Sequence, residues 1–306
     1  MKRYTGRSWF TARRERASEM IKLFTDTAAN LPAEIISKYD IGVIPLQFTV
    51  NGVPVSYDGF NGKAFYDGMR RGDVVRTSMI NTVTYMNHFR PVLERENDVL
   101  YVGMSGGISS TAASAAVAAR ELSAEFPENR IVTVDTLAAS LGEGLQVIDA
   151  AVMINDGLPL DDIADALYEK RDRMCQYFTV DDLRYLVRGG RLTGPGASLV
   201  AKAGAVLKIK PVLVGDDAGR IIVKERKIGR NNSLRSLADN YDRLVSDRRG
   251  PVGIAHADDP VGAQILIDAL RDRGCESDIM TVVYEPVTGS YVGPGAVALF
   301  FPGIFK

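Results

Sequence analysis

Residues 98–115 read DVLYVGMSGGISSTAASA: an apolar run, Asp98 to Gly103, breaks at Gly106 and Gly107 and hands over to Ser109, Ser110 and Thr111 at the head of an alanine-rich segment. That order predicts a strand, a tight turn and a helix N-terminus. A helix start leaves backbone N–H groups unsatisfied and carries the positive end of the helix dipole. With three hydroxyls beside it, the junction can receive an anion. The same residues can also serve a plainer purpose, Ser109 or Ser110 as an N-cap and the glycines as the turn. The stretch by itself does not separate the two.

Working outward, the pattern on either side repeats the unit. Strands are predicted at Ile21 to Thr25, Gly42 to Thr49, Val99 to Gly103 and Arg130 to Asp135. Helices are predicted at Ala33 to Tyr39, Ala64 to Arg71, Thr82 to Glu94, Ser110 to Phe126 and Gly142 to Asn155. Short apolar strands separated by helices of this length indicate crossover units, and so a parallel sheet covered on both faces whose ligands gather beyond the strand C-termini. After Gly157-Leu158-Pro159 the character changes. Helical stretches at Leu160 to Arg173 and Val180 to Val187 lead into a glycine-rich loop, Gly189 to Gly196. Two short runs follow, Ile209 to Val214 and Ile221 to Lys227, split by Gly215-Asp216-Asp217-Ala218-Gly219 as in a hairpin. Helices at Asn232 to Val245 and Pro260 to Arg273 then alternate with strands at Val252 to His256 and Ser277 to Tyr284, which reads as a mixed sheet with helices on one side. The expected fold is α/β with two domains: a Rossmann-like parallel-sheet domain over 21–158, a mixed-sheet α+β domain over 159–306, and the ligand between them. Residues 1–20, with Lys2, Arg3, Arg7, Arg13, Arg14 and Arg16, form a basic extension that reads as a solvated arm or short surface helix, with a partner-binding segment as the alternative.

The chain has 306 residues, with 37 basic and 38 acidic side chains, so no global charge draws it to nucleic acid or to an anionic membrane. No apolar run approaches the roughly 20 residues that span a bilayer, and the N-terminus lacks the apolar core of a signal peptide, so stable membrane insertion is not expected. Cys175 and Cys275 stand far apart without metal-ligand spacing. They read as small semi-buried residues of a protein in a reducing compartment, and a cytoplasmic location is expected with no metal site.

Further stretches fall into one series with the opening one. They are Phe24 to Pro32 (FTDTAANLP), Thr77-Ser78, Val134-Asp135-Thr136 with Ser140-Leu141-Gly142-Glu143-Gly144, Gly189-Gly190-Arg191, Leu207 to Leu213 (LKIKPVL), and Tyr291-Val292-Gly293-Pro294-Gly295. In this order the chain resembles the DegV family of fatty-acid-binding proteins, whose patterns run TDSTADLP, TSQPS, SSxLSGTYxSA, VDSxxxSxGxG, LxxGGRI, LxIKPIL and HTGPG. The resemblance extends from about Ile21 to Pro302. It implies that a fatty-acid carboxyl is bound by the Thr of TSQPS, a Ser of the SSxLSGT stretch and the His of HTGPG, which fall on Thr77, Ser109 and Tyr291, with Ser78 and Ser110 adjoining. Three departures stand out: Tyr291 replaces the histidine, Met79 the Gln of TSQPS, and Ser110 the Gly after the serine. A phenol still donates one hydrogen bond but does not titrate near neutral pH, so binding is expected to vary little between pH 6 and 8. Some members of the family hand their fatty acid to an ATP-binding kinase subunit that makes an acyl phosphate. Such a partner suits the basic residues Arg188, Arg191, Lys202, Lys208 and Lys210, and Lys224, Arg226, Lys227 and Arg230, although a charge run of this kind also reads as a solvated face.

Two functions are therefore weighed. One is a binding and presenting module with no catalytic residue and no cofactor, in which each buried methylene of the ligand contributes about 0.8 kcal/mol. The other is a nucleotide- or phosphate-dependent enzyme that uses the Gly103 to Ser110 turn. The turn matches neither GxGxxG nor GxxxxGK[ST], and a hydrolase would need a GxSxG elbow that is absent. Of the two histidines, His88 reads as a surface residue, and His256 as a local cap beside Asp258-Asp259-Pro260 or a member of the site.

Overall fold

The computed structural model describes residues 20–192 and 209–305. The first half of the chain supplies β1 (Ile21–Asp26), α1 (Ala33–Lys38), β2 (Gly42–Ile44), β3 (Gln47–Val50), β4 (Val53–Val55), α2 (Gly62–Arg71), β5 (Val75–Ser78), α3 (Thr82–Leu93), β6 (Asp98–Gly103), α4 (Thr111–Glu125), β7 (Ile131–Asp135) and α5 (Leu141–Asn155). The second supplies α6 (Leu160–Arg171), β8 (Met174–Thr179), α7 (Arg184–Arg188), β9 (Ile209–Gly215), β10 (Ile221–Ile228), α8 (Arg230–Leu244), β11 (Val252–His256), α9 (Pro260–Asp272), β12 (Ile279–Val283), α10 (Pro286–Val292) and β13 (Val297–Pro302).

The crossover units close into an all-parallel sheet of order β2-β1-β6-β7, and the later strands form a mixed sheet of order β10-β9-β8-β13-β11-β12 in which only β11 and β12 run parallel. The expected α/β class with a parallel and a mixed sheet is what the chain adopts. A third, three-stranded antiparallel sheet, β4-β3-β5, lies outside that expectation. It exists because the run expected as one strand from Gly42 to Thr49 contains Pro45. With no N–H to donate, Pro45 ends β2, and the chain turns into β3 of the other sheet. That sheet matters for function, since its β5 carries Thr77 and Ser78. Two other expectations shift. The helix expected at Val180 to Val187 is the shorter α7, preceded by the unexpected strand β8. Five of the eight residues of the glycine-rich stretch 288–295 are the end of α10, which Glu285 caps and Pro286 opens.

Helices α8 and α9 cover one face of the mixed sheet through Leu234, Leu237, Tyr241, Leu266 and Leu270. The other face packs onto Tyr66 and Met69 of α2 and Leu141 and Leu145 of α5, beside Phe178, Leu213, Ala255, Ala298 and Phe300. Glycines let the layers approach. A Cβ on Gly253 would stand 2.8 Å from the Leu141 side chain, and one on Gly142 3.0 Å from the Phe300 ring. Polar links cross the same boundary: Tyr66 donates to the Tyr284 carbonyl at 2.8 Å, Asn30 to the Val283 carbonyl at 3.0 Å, and Gln176 to the Leu137 carbonyl at 2.9 Å. Among the described residues no helix is long and apolar enough to cross a membrane, and no His, Cys, Asp and Glu cluster could hold a metal ion. Cys175 and Cys275 are both buried thiols. The basic extension 1–20, apart from its last residue, and residues 193–208 of the glycine-rich region, with Lys202 and Lys208, lie outside the described residues.

Candidate functional site

Where the three sheets meet, a cavity of about 220 Å³ opens between β5, the β6–α4 turn, the start of α5 and α10. Thr77, Ser78, Ser109, Ser110 and Tyr291 all line it. Its other walls are largely apolar, among them Leu46, Met104, Ile108, Phe178, Ile221 and Phe300. Ser78, Met79 and Ser110 are exposed and form its rim.

Thr77 and Tyr291 lie 214 residues apart in sequence, yet their hydroxyls are 2.5 Å from each other. The strand places one and α10 the other. Arg191 completes this group: its guanidinium stacks 4.7 Å from the centroid of the Tyr291 ring, donates to the Gly189 carbonyl at 3.0 Å and reaches the Tyr291 oxygen at 3.4 Å. A cation so placed gives a bound anion a charge partner that no hydroxyl can provide. The sequence groups Arg191 with a basic outer surface, and the structure turns it into the cavity wall. The signal is the GGR motif itself, in which Gly189 leaves no side chain where the Tyr291 ring lies, a Cβ there being 2.3 Å from it.

Ser109 does both of the things expected of it. Its oxygen accepts from the Thr111 amide at 3.2 Å and stands 2.8 Å from the Thr111 hydroxyl, so it caps α4, whereas Ser110 at the formal N-cap position makes no side-chain capping bond. When the Thr111 hydroxyl is the donor of that pair, the Ser109 oxygen keeps its own proton to donate into the cavity.

The amides of Gly106 to Ser109, by contrast, are already occupied. Gly106 donates to the Asp135 carboxylate at 3.0 Å, Gly107 to the Ser105 hydroxyl at 3.0 Å, and Ile108 and Ser109 to the Ser105 carbonyl at 3.2 and 3.1 Å. The β9–β10 hairpin also lies over the glycines: Ser105 donates to the Gly219 carbonyl at 3.0 Å, and a Cβ on Gly107 would stand 2.2 Å from the Ala218 carbonyl oxygen. A phosphate cradle needs free amides and no carboxylate against them. The geometry here speaks against the nucleotide-dependent reading.

Beneath α10 lies a polar layer that sequence reasoning missed. Glu285 is buried; its two oxygens accept from the Val287 and Thr288 amides at 2.6 and 2.5 Å, and one also accepts from Tyr57 at 3.3 Å. Burial pushes its carboxyl up to about 7. Asp26 and Glu143, also fully buried, are pushed up for the same reason. Of the two histidines, His256 is a buried local cap whose Nδ1 accepts from the Asp259 amide at 3.2 Å, and burial lowers its pKa. His88 is half-buried rather than a surface residue, bonded through Nδ1 to the Thr84 carbonyl at 2.8 Å and edge-on to Phe24. Neither lines the cavity. In the expected basic group, Lys210 pairs with Asp181, Lys227 with Glu225 and Arg230 with Asp259, while Lys224 and Arg226 are exposed on β10.

Residues 20–302 match the family model described as an uncharacterised protein of the DegV family. A DegV domain-containing protein of Clostridium perfringens is 34% identical over 289 residues, covering 93% of this chain and 98% of its own. Among solved structures, a fatty-acid-binding DegV family protein of Streptococcus agalactiae superposes with a TM-score of 0.83 at 25% identity, covering 92% of this chain and 98% of that one. DegV of Bacillus subtilis, described as a fatty acid binding protein, superposes with a TM-score of 0.78 at 25% identity, covering 94% and 100%.

Proposed function

The chain belongs to the DegV family, and on that premise we propose that it binds a long-chain fatty acid, with the carboxyl held by Thr77, Ser109 and Tyr291 beside Arg191 and the acyl tail against the apolar walls. The observation that carries the reading is the meeting of those three hydroxyls and one guanidinium in a single, largely apolar cavity. A carboxylate needs donors that converge on it, and charge-assisted hydrogen bonds are about twice as strong as neutral ones. A hydrocarbon chain needs only removal from water. Binding of this kind breaks no covalent bond.

The exposed rim of Ser78, Met79 and Ser110 leaves the headgroup end accessible, which supports presentation of the carboxyl to an ATP-binding fatty-acid kinase subunit. Lys224 and Arg226, exposed together on β10, supply a basic surface of the kind such docking uses.

Native mass spectrometry of the protein as purified, with solvent extraction of what it carries, tests the binding. A stoichiometric long-chain fatty acid is the expected result. A bound nucleotide, or no lipid uptake after incubation with oleate, would overturn it. Presentation is tested by adding a fatty-acid kinase subunit and ATP and looking for hydroxylamine-trappable acyl phosphate.

A further inference from the structure

We propose that Glu285 is a positioning residue that couples the cavity to protonation, so that the protein takes up a proton when a carboxylate ligand enters. The inference rests on the fatty-acid reading above and goes beyond it in naming a group that never touches the ligand.

The geometry is that of a clamp on the cavity wall. Four of the seven residues of α10, namely Val287, Thr288, Tyr291 and Val292, line the cavity. The Glu285 carboxyl caps the first turn of that helix through the Val287 and Thr288 amides. The other half of the molecule grips the same group: Tyr57 donates to it, Thr27 donates to the Tyr57 oxygen at 2.9 Å, and Asn30 accepts from the Glu285 amide at 3.2 Å. Every donor around Glu285 is neutral. The titratable groups that face it from the surrounding elements are Asp26 at the end of β1, Tyr57 in the loop after β4, Tyr66 of α2, Glu143 of α5 and Tyr284 beside it, and none is a cation. Buried among acids and phenols, its carboxyl is balanced between its two forms near neutrality, at about 7.

A ligand carboxylate at Tyr291 would place a second negative charge on the same short helix. Six residues at 1.5 Å rise separate the two backbone positions by about 9 Å along the helix, and with Arg191 beside the ligand end offsetting part of the charge, like charges at about that range in a partly buried setting shift an equilibrium by up to about tenfold. Occupancy then favours protonated Glu285, and protonation favours occupancy by the same factor. This adds a titrating group that the expectation of a pH-independent site, drawn from Tyr291 alone, does not contain.

Calorimetric titration of the full chain with monomeric dodecanoate, in two buffers of different ionisation enthalpy, counts the protons. About half a proton should be taken up near pH 7.5, and affinity should fall about five- to tenfold from pH 6 to pH 8. Glu285→Gln keeps one of the two amide bonds, through its single side-chain oxygen, and cannot titrate, so its profile should be flat within about twofold. Tyr57→Phe removes a donor to the charged form and should move the midpoint of the profile to higher pH, a shift that a purely structural contact would not produce. A flat parent profile, or a pH dependence that survives in Glu285→Gln, overturns the proposal while leaving fatty-acid binding intact. Absence of dodecanoate binding in parent and variants at every pH overturns both.

Discussion

The Thr77 and Tyr291 hydroxyls, 2.5 Å apart, share one hydrogen bond, which makes each sensitive to the other. Thr77→Ala and Ser109→Ala should each weaken fatty-acid binding by about 1 to 3 kcal/mol, the scale of a hydrogen bond to a charged group. Displacement of a fluorescent fatty acid measures it. The two differ in their effect on folding: Ser109→Ala also strips the α4 cap and should lower stability by about 1 kcal/mol in urea, and Thr77→Ala should not. Tyr291→Phe should cost a similar 1 to 3 kcal/mol, about the same as loss of one such bond, whereas Tyr291→His restores a donor and should bind. Arg191→Gln removes the one guanidinium in the group and should weaken a fatty acid more than its uncharged methyl ester, which the same displacement assay distinguishes. Thr77, Ser109 and Tyr291 were legible as positions that line the cavity because each belongs to a series of short local motifs that is recognised in order along the chain. Arg191, Glu285 and Tyr57 were not: their roles come from side chains 100, 228 and 228 residues away along the chain, which no local pattern reveals.

At the scale of elements, the helices other than α7 and α10 were legible to within about two residues because their caps and apolar spacing are local. Asn61 and Asn81 each accept an amide three residues on, at 3.0 and 2.9 Å, and Gly72 at φ 109 closes α2. Strands β8 and β13 went unread because they are buried between neighbours on both faces, and a short apolar run without alternation looks the same as a buried helix or loop. The junction between the β9–β10 hairpin and the β6–α4 turn belongs to this scale as well. Gly107→Ala would drive a methyl group into the hairpin backbone, 2.2 Å from the Ala218 oxygen and 2.6 Å from the Gly219 carbonyl carbon. The expected cost is about 1 to 3 kcal/mol, read as a lower urea midpoint, together with weaker ligand binding as the turn that carries Ser109 is displaced. Gly106→Ala meets only the Asp135 carboxylate, at 2.7 Å, and should cost less.

Across the whole molecule, three buried carboxyls at the meeting of the sheets set how stability responds to pH. Asp26, Glu143 and Glu285 are all held above their ordinary range by burial. A carboxyl raised from 4.5 to about 7 gives stability that is complete below pH 4.5 and is lost as the pH rises through 7. His256, kept neutral by burial, works in the opposite sense as the pH falls below its ordinary value, so the clean window lies above it. Between pH 6.5 and 7.5 Glu285 alone should remove about 0.7 kcal/mol, with Asp26 and Glu143 acting in the same direction, and urea unfolding at the two pH values checks both sign and size. The parallel sheet and its crossovers were legible in the alternation of runs; the way the second sheet is covered was not, because its cover comes from α2 and α5, far upstream. That borrowed cover means that the order of synthesis and the order of folding differ. Once the ribosome has released α2 and α5, their apolar stripes must wait for strands still unmade, the last of which, β13, ends only at Pro302. A gene cut between Leu158 and Pro159 should therefore yield a second fragment that precipitates when expressed alone and is rescued into soluble, ligand-binding form when both fragments are made in the same cell.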